Sequence, residues 1–242
     1  MMNLIPALSD EERFPGLSDL GFLQQLRQDS CGPRFNFKSG DRLTADSLLK
    51  VREYGKSLHT SRFWHPGKLP EWLPAFLENC RATVPAYRLH PADFRQMPTL
   101  HRPALAAKPW QFVPDTCNAD DLLVYSTSGT TGRPMEVLFD AISQAEWLPQ
   151  LETVLTPEGI TIEGGPNRVS ICLVCFQQQT LTYASLSTYL RGAGVLKINL
   201  NPADWNDQAD RIRFLEKYNP EILTGDPLTF HALAGLAPSI RP

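Results

Sequence analysis

The nine residues Thr127-Ser128-Gly129-Thr130-Thr131-Gly132-Arg133-Pro134-Met135 gather four hydroxyl side chains, two glycines and one guanidinium into a single stretch. Apolar Leu122-Leu123-Val124-Tyr125 precedes them and Val137-Leu138-Phe139 follows, a strand–loop–strand pattern. This composition suits a loop that wraps a polyphosphate. Glycine lets the backbone take positive φ and approach a ligand closely. Consecutive N–H groups then form an anion-binding concavity to which hydroxyls add donors. Arg133 supplies a fixed charge in a fork that matches phosphate. Each hydrogen bond to a charged group contributes about 1.5–3 kcal/mol, so a few would anchor a nucleoside triphosphate. The order is not that of a Walker A loop, which needs a lysine directly after its second fixed glycine and then a helix. Turn chemistry alone also gathers such residues into plain hairpin loops.

The order Ser128-Gly129-Thr130-Thr131-Gly132-x-Pro134 resembles the phosphate-binding loop of the adenylate-forming superfamily, which includes acyl- and aryl-CoA ligases, peptide-synthetase adenylation domains and luciferases. Many members carry a lysine where Met135 stands. The phenylacetate–CoA ligase branch often places its basic residue before the proline, as Arg133 stands here. Arg81-Ala82-Thr83-Val84-Pro85-Ala86-Tyr87-Arg88 resembles that branch's N-V-P-x-Y-R segment. Phe94 to Pro109, with Met97-Pro98 and Lys108, resembles its F-P-x-x-x-K segment, and Ile222-Leu223-Thr224-Gly225-Asp226-Pro227 its strand-to-helix G-x-P-S segment. The resemblance runs from about Glu71 to Leu236.

It implies an ATP-dependent acid–thiol ligase. A carboxylate attacks the α-phosphate of ATP, giving an acyl-adenylate and pyrophosphate. A thiol, usually coenzyme A and in some members a carrier protein, then takes the acyl group. Mg²⁺ would bridge phosphate oxygens. Positioning and charge neutralisation dominate such a displacement, and the attacking carboxylate is already an anion, so no residue is assigned as a catalytic base. By resemblance, Ser128, Thr130 and Thr131 donate to phosphate near Mg²⁺. Thr127 opens the loop, Gly129 and Gly132 allow backbone approach, and Arg133 adds charge. Phe176, Gln177, Gln178, Thr182 and Tyr183 fall where the branch builds part of its acyl pocket. Family members are often glycine-rich there, whereas Gln177-Gln178-Gln179 implies a more polar pocket, or a solvated loop with none.

Complete relatives continue with adenine-binding motifs and a small mobile domain carrying a lysine, and neither follows before Pro242. The expectation is therefore a piece of a longer enzyme, inert alone. An open sheet edge in such a piece invites self-pairing, so a homodimer is also expected. An acyl-protein synthetase or biosynthetic adenylation domain would share the loop. A reading from another class is a degenerate adenylation fold that serves as an interaction module and binds no ATP.

Composition narrows the alternatives. The 242 residues carry a net charge of −3 and are 42% hydrophobic and 20% charged, as in a soluble globular chain. Nothing in that balance draws nucleic acid or an anionic membrane. No apolar run approaches the roughly 20 residues that span a bilayer, and Met1-Met2-Asn3-Leu4-Ile5-Pro6 does not read as a secretory signal. A cytoplasmic location is the resulting expectation. The five cysteines are odd in number and scattered, against a disulfide framework. Cys172-Leu173-Val174-Cys175 lies within a strand-like run and reads as two buried structural thiols rather than a redox or zinc pair.

The expected fold is α/β: a parallel βαβ sheet flanked by helices, with the phosphate loop between two strands. Residues 1–70 read as a partly helical N-terminal extension and 71–242 as an incomplete N-terminal subdomain of an adenylate-forming enzyme. Helices are expected near 10–14, 19–26, 45–59 and 75–83. After the loop come an N-cap at Asp140, a stripe broken at Pro149, strands at 168–175, 195–200 and 221–224, and helices at 182–192, 207–218 and 227–236. That alternation implies right-handed crossovers.

Overall fold

A computed structural model describes residues 8–58, 67–126 and 135–236. The chain divides into two compact units, one from residues 1–57 and 145–242, the other from 58–144. In chain order, α1 (Asp10–Arg13), α2 (Gly21–Arg27) and α3 (Ala45–Leu58) come first. They are followed by α4 (Leu73–Thr83), α5 (Arg102–Ala107), β1 (Leu123–Ser126), β2 (Glu136–Phe139) and α6 (Ala141–Ala145). The last stretch holds α7 (Trp147–Leu155), β3 (Val169–Cys175), β4 (Tyr183–Ser187), β5 (Ala193–Asn199), α8 (Asp210–Tyr218), β6 (Ile222–Thr224) and α9 (Pro227–Leu236).

The first unit is built on the sheet β4-β5-β3-β6. Valine, isoleucine and leucine dominate β3, and such a run favours a strand buried on both faces. Its pairing agrees: β3 is parallel to β5 on one side and to β6 on the other. One face packs Cys172, Val174, Leu196, Ile198, Ala184 and Leu186 against α2 and α8 through Phe22, Leu23, Leu26, Phe214 and Leu215. The other sets Ile171 and Ala193 against Leu148 of α7, with Ile162 and Leu190. The span read as an N-terminal extension thus supplies much of one cover. Gly194 permits this, since a Cβ there would meet Leu26 and Phe22 at 3.3 Å. Gly16 permits a closer approach still: a Cβ there would stand 2.5 Å from the Leu43 carbonyl oxygen and 2.7 Å from Thr188.

The expected helix over 182–192 is instead β4 and a turn. Tyr183, Ser185 and Ser187 alternate with Ala184 and Leu186, the period of a strand whose faces differ. β4 pairs antiparallel with β5 from Tyr183↔Lys197 to Ser187↔Ala193. Arg191 (φ 57°) and Gly192 (φ 82°) turn the chain between them. The sheet is therefore mixed rather than wholly parallel, and α8 is the helix that joins parallel strands, β5 to β6. The break in the helical stripe falls at Glu146, between α6 and α7, with Pro149 in the first turn of α7. Asp140 caps α6, accepting the N–H groups of Ile142 (2.9 Å) and Ser143 (3.0 Å).

Within the second unit, prolines open short helical turns at Pro74, Pro85, Pro103 and Pro109, where a missing N–H costs nothing. Leu73, Leu77 and Val84 are buried, and the Tyr87 ring meets Phe112 edge-on at 5.9 Å. Phe76 of α4 is 53% exposed and lies edge-on to Trp72.

A side-chain clamp fixes the N-terminal cover to the sheet. Asp41 accepts the Thr188 N–H at 2.6 Å, the Thr188 hydroxyl at 3.1 Å and the Leu43 N–H at 3.1 Å. Burial outweighs these donors and pushes its carboxyl up to about 6. The folded chain then holds this proton more tightly than the unfolded chain, whose value is near 3.8. Stability from this residue is full below about pH 4 and is lost as pH rises through 6. Between pH 4 and 7, urea unfolding should show wild type losing about 2–3 kcal/mol relative to Asp41→Asn. A pH-independent difference between the two would refute this coupling.

Candidate functional site

The expected phosphate-loop residues, Thr127, Ser128, Gly129, Thr130, Thr131, Gly132 and Arg133, lie outside the described residues. Their two flanks are described. β1 and β2 pair antiparallel, Leu123↔Phe139 through Ser126↔Glu136. The last pair sets the chain's entry to the loop sequence beside its exit. Tyr125 and Phe139 stand diagonally across this ladder with ring centroids 5.9 Å apart, a contact that stiffens a two-stranded ribbon.

The expected acyl-pocket residues lie after the carboxyl end of β3 and at the start of β4, in the first unit. Open α/β sheets bind ligands outside the carboxyl ends of their strands, so the location suits a site. The individual side chains have different roles. Phe176 is 54% exposed directly after β3, and Gln178 is exposed on the same connection. Gln177 is held by its backbone, donating its N–H to Asn199 Oδ1 at 3.0 Å and accepting from Asn199 Nδ2 at 2.9 Å and Asn201 Nδ2 at 3.0 Å. Thr182 is wholly buried. Its N–H donates to Asn36 Oδ1 at 2.8 Å, and its carbonyl accepts from Asn36 and Phe37. It therefore ties β4 to the N-terminal cover rather than facing a ligand. Tyr183 is half-buried, opposite Lys197 in register and edge-on to Phe37 at 6.4 Å.

Sequence reasoning missed the residue that organises this end of the sheet. Asn199 is fully buried at the close of β5. Besides clamping Gln177 it donates to Asp204 at 2.7 Å, and its carbonyl accepts the Trp205 indole N–H at 2.7 Å. The available signal was Asn199-Leu200-Asn201-Pro202, since asparagines beside a proline commonly bond backbone groups in turns. Lys197, between Tyr183 and Leu173 in register, is half-buried and has no carboxylate within ion-pair distance among the described residues.

The segment Gly225-Asp226-Pro227 has a local physical account. A Cβ on Gly225 would stand 2.7 Å from the Val174 carbonyl oxygen. Asp226 caps α9, accepting the Thr229 N–H at 2.9 Å and its hydroxyl at 2.7 Å, and these bonds hold its carboxyl below the usual range. Pro227 is the first residue of the helix. The thiols of Cys172 and Cys175 are free and buried, and burial pushes both upward, so they remain protonated packing groups. His90 lies edge-on to Tyr87 at 5.4 Å, while His101 and His231 are exposed; His65 lies outside the described residues.

Among the described residues no group of three or more His, Cys, Asp or Glu is placed to hold a metal ion, and no helix is long and apolar enough to cross a membrane. No protein-family model, curated protein or solved structure matches the chain.

Removing the Asn199 carboxamide would strand the Gln177 N–H and one Asp204 oxygen, while the Gln177 carbonyl would keep Asn201 Nδ2. Each group so left costs up to about 1–3 kcal/mol, and truncating the fully buried Asn199 side chain adds the loss of its own packing. Asn199→Ala should therefore lower urea-unfolding stability by several kcal/mol, whereas Gln178→Ala, on an exposed side chain, should change it by less than about 0.5 kcal/mol. Equal effects would remove Asn199 from its organising role.

Proposed function

We propose that this chain is the nucleotide-binding part of an ATP-dependent carboxylate-activating enzyme, an acid–thiol ligase of the phenylacetate–CoA ligase kind. The observation that carries the reading is the order Ser128-Gly129-Thr130-Thr131-Gly132-Arg133-Pro134 between two strands that pair with each other. Support comes also from the mixed sheet, whose parallel strands β3, β5 and β6 lead their carboxyl ends into the Phe176–Tyr183 and Gly225–Pro227 connections.

In this reading Ser128, Thr130 and Thr131 would hold the phosphates of ATP and stand near its Mg²⁺, and Arg133 would balance their charge. The donor set fits: hydroxyls and backbone N–H groups around two glycines are neutral donors that hold phosphate without competing carboxylates. Bound Mg²⁺-ATP would supply the activated α-phosphate. The chain's own part is to fix that phosphate and to bring the carboxylate against it. The thiol acceptor is coenzyme A or a carrier protein, with a cytoplasmic setting the natural one for that chemistry.

One observation favours the second reading, a non-catalytic interaction module. Thr182 is committed to hydrogen bonds inside the fold and Tyr183 packs edge-on to Phe37, which leaves Phe176, Gln177 and Gln178 as the exposed side chains of the expected pocket.

Carboxylate-dependent ATP–pyrophosphate exchange, run with the longest natural form and a panel of aryl and acyl acids, separates the readings. Exchange with one acid is expected. Thr130→Ala with Thr131→Ala should reduce it at least about tenfold, the worth of one charge-assisted hydrogen bond, with melting unchanged. Exchange at the wild-type rate in that variant would remove both residues from the site. Absence of exchange with every acid, together with no ATP binding by calorimetry, would decide for the interaction module.

A further inference from the structure

In the first unit, residues 27–38 border an open groove of about 650 Å³. That volume is within the range of small-ligand sites, about 300–1,000 Å³. Its lining includes three cations, Arg27, Arg34 and Lys38, against one carboxylate, Asp29. The Asp29 side chain is 1% exposed. It accepts from Lys217 Nζ at 2.6 Å, the Tyr218 hydroxyl at 2.5 Å and the Cys31 N–H at 2.9 Å. Its charge is answered from behind and does not offset the groove's cations.

The charge balance beneath the groove is also incomplete. Arg27 Nη1 pairs with Asp10 Oδ2 at 2.6 Å, while Arg13 Nε lies 4.0 Å from the other oxygen of the same carboxylate. Lys38 is close enough for its charge to act on Asp10 too. One carboxylate thus faces two guanidinium groups and an ammonium. Asp10 Oδ1, Arg13 Nε and Arg27 Nη2 are all enclosed without a hydrogen-bond partner. Arg34 donates to the Ala203 carbonyl, a neutral acceptor, and Lys38 Nζ has no ion-pair partner among the described residues.

The wall is held in place before any ligand arrives. The Arg34 N–H donates to the Asp204 carbonyl at 2.9 Å, and Asn36 Nδ2 to the Thr180 carbonyl at 2.9 Å. Phe35 packs on the core, and Phe37, 36% exposed, is steadied edge-on by Tyr183. An aromatic face therefore lies on the same short segment as the cations.

We infer that this groove binds a small organic phosphate monoester, its phosphate held by Arg34 and Lys38 with the Arg27 charge behind them, and its organic body laid against Phe37. A dianionic phosphate matches an excess of two uncompensated cations, and guanidinium groups suit its geometry. The assignment does not rest on the proposed adenylating activity, because the groove and the loop at 127–133 share no residue.

Calorimetric titration with phenyl phosphate and with inorganic phosphate at low salt tests it. Saturable one-to-one binding is expected, tighter for phenyl phosphate. Lys38→Gln, a change at an exposed side chain, should weaken it about tenfold, and Lys38→Gln with Arg34→Gln should weaken it further. Thr130→Ala with Thr131→Ala should leave it unchanged. Absence of saturation in the wild type, wild-type affinity in the double groove variant, or loss of binding in the loop variant would each overturn the assignment. Equal affinity for the two probes would overturn the organic-ester part.

Discussion

Double-sided burial of β3 is the constraint on which the first unit depends. A strand with parallel neighbours on both sides has no solvent face, so both faces of the sheet must be covered. The cover comes from segments far apart in sequence. Phe22, Leu23 and Leu26 of α2 join Phe214 and Leu215 of α8 on one face, and Leu148 of α7 leads on the other. The intervening residues 58–144 form their own unit. The sheet is therefore a long-range construction, and residues near the N-terminus are part of its core rather than an appendage.

Apolar cover fixes burial but not register or loop path. Those are set by a few side chains that bond to distant backbone. Asn36 holds Thr182 and Thr180, Asp41 holds Thr188, and Asn199 holds Gln177. In each case a short polar side chain satisfies backbone groups that no ladder reaches, which is the usual requirement for a buried turn. Glu221 does the same at the opposite end, accepting the N–H groups of Glu163 and Gly164 and the Ser170 hydroxyl. Arg211, buried on α8, is satisfied by the carbonyls of Leu200 and Gln208. The carboxyl ends of β3 and β5 are thus tied to each other and to the N-terminal cover, and the exposed side chains there are Phe176, Gln177 and Gln178.

The two anion sites proposed above lie apart along the chain. The loop sequence at 127–133 offers hydroxyls and glycines. The groove at 27–38 offers side-chain cations with an incomplete set of counter-charges, suited to a compact phosphate. Both follow from local composition, but the second has meaning only because Asp29 is turned inward to Lys217 and Tyr218.

What the sequence by itself determined is local. The apolar run of β3, the cap at Asp140, the proline at the start of α9, the break near Pro149 and the buried character of Cys172 and Cys175 could each be read from neighbours within a few residues, because helix caps, turns and strand periods are short-range physics. Tertiary structure decided the rest. Residues 182–192 carry both a strand alternation and a spacing tolerable to a helix, and pairing with β5 settles the matter by satisfying the backbone of both strands. The use of Thr182 as a tie, the inward turn of Asp29 and the organising role of Asn199 depend on partners up to 189 residues away. No local pattern encodes such contacts: they arise from which polar groups burial leaves without water.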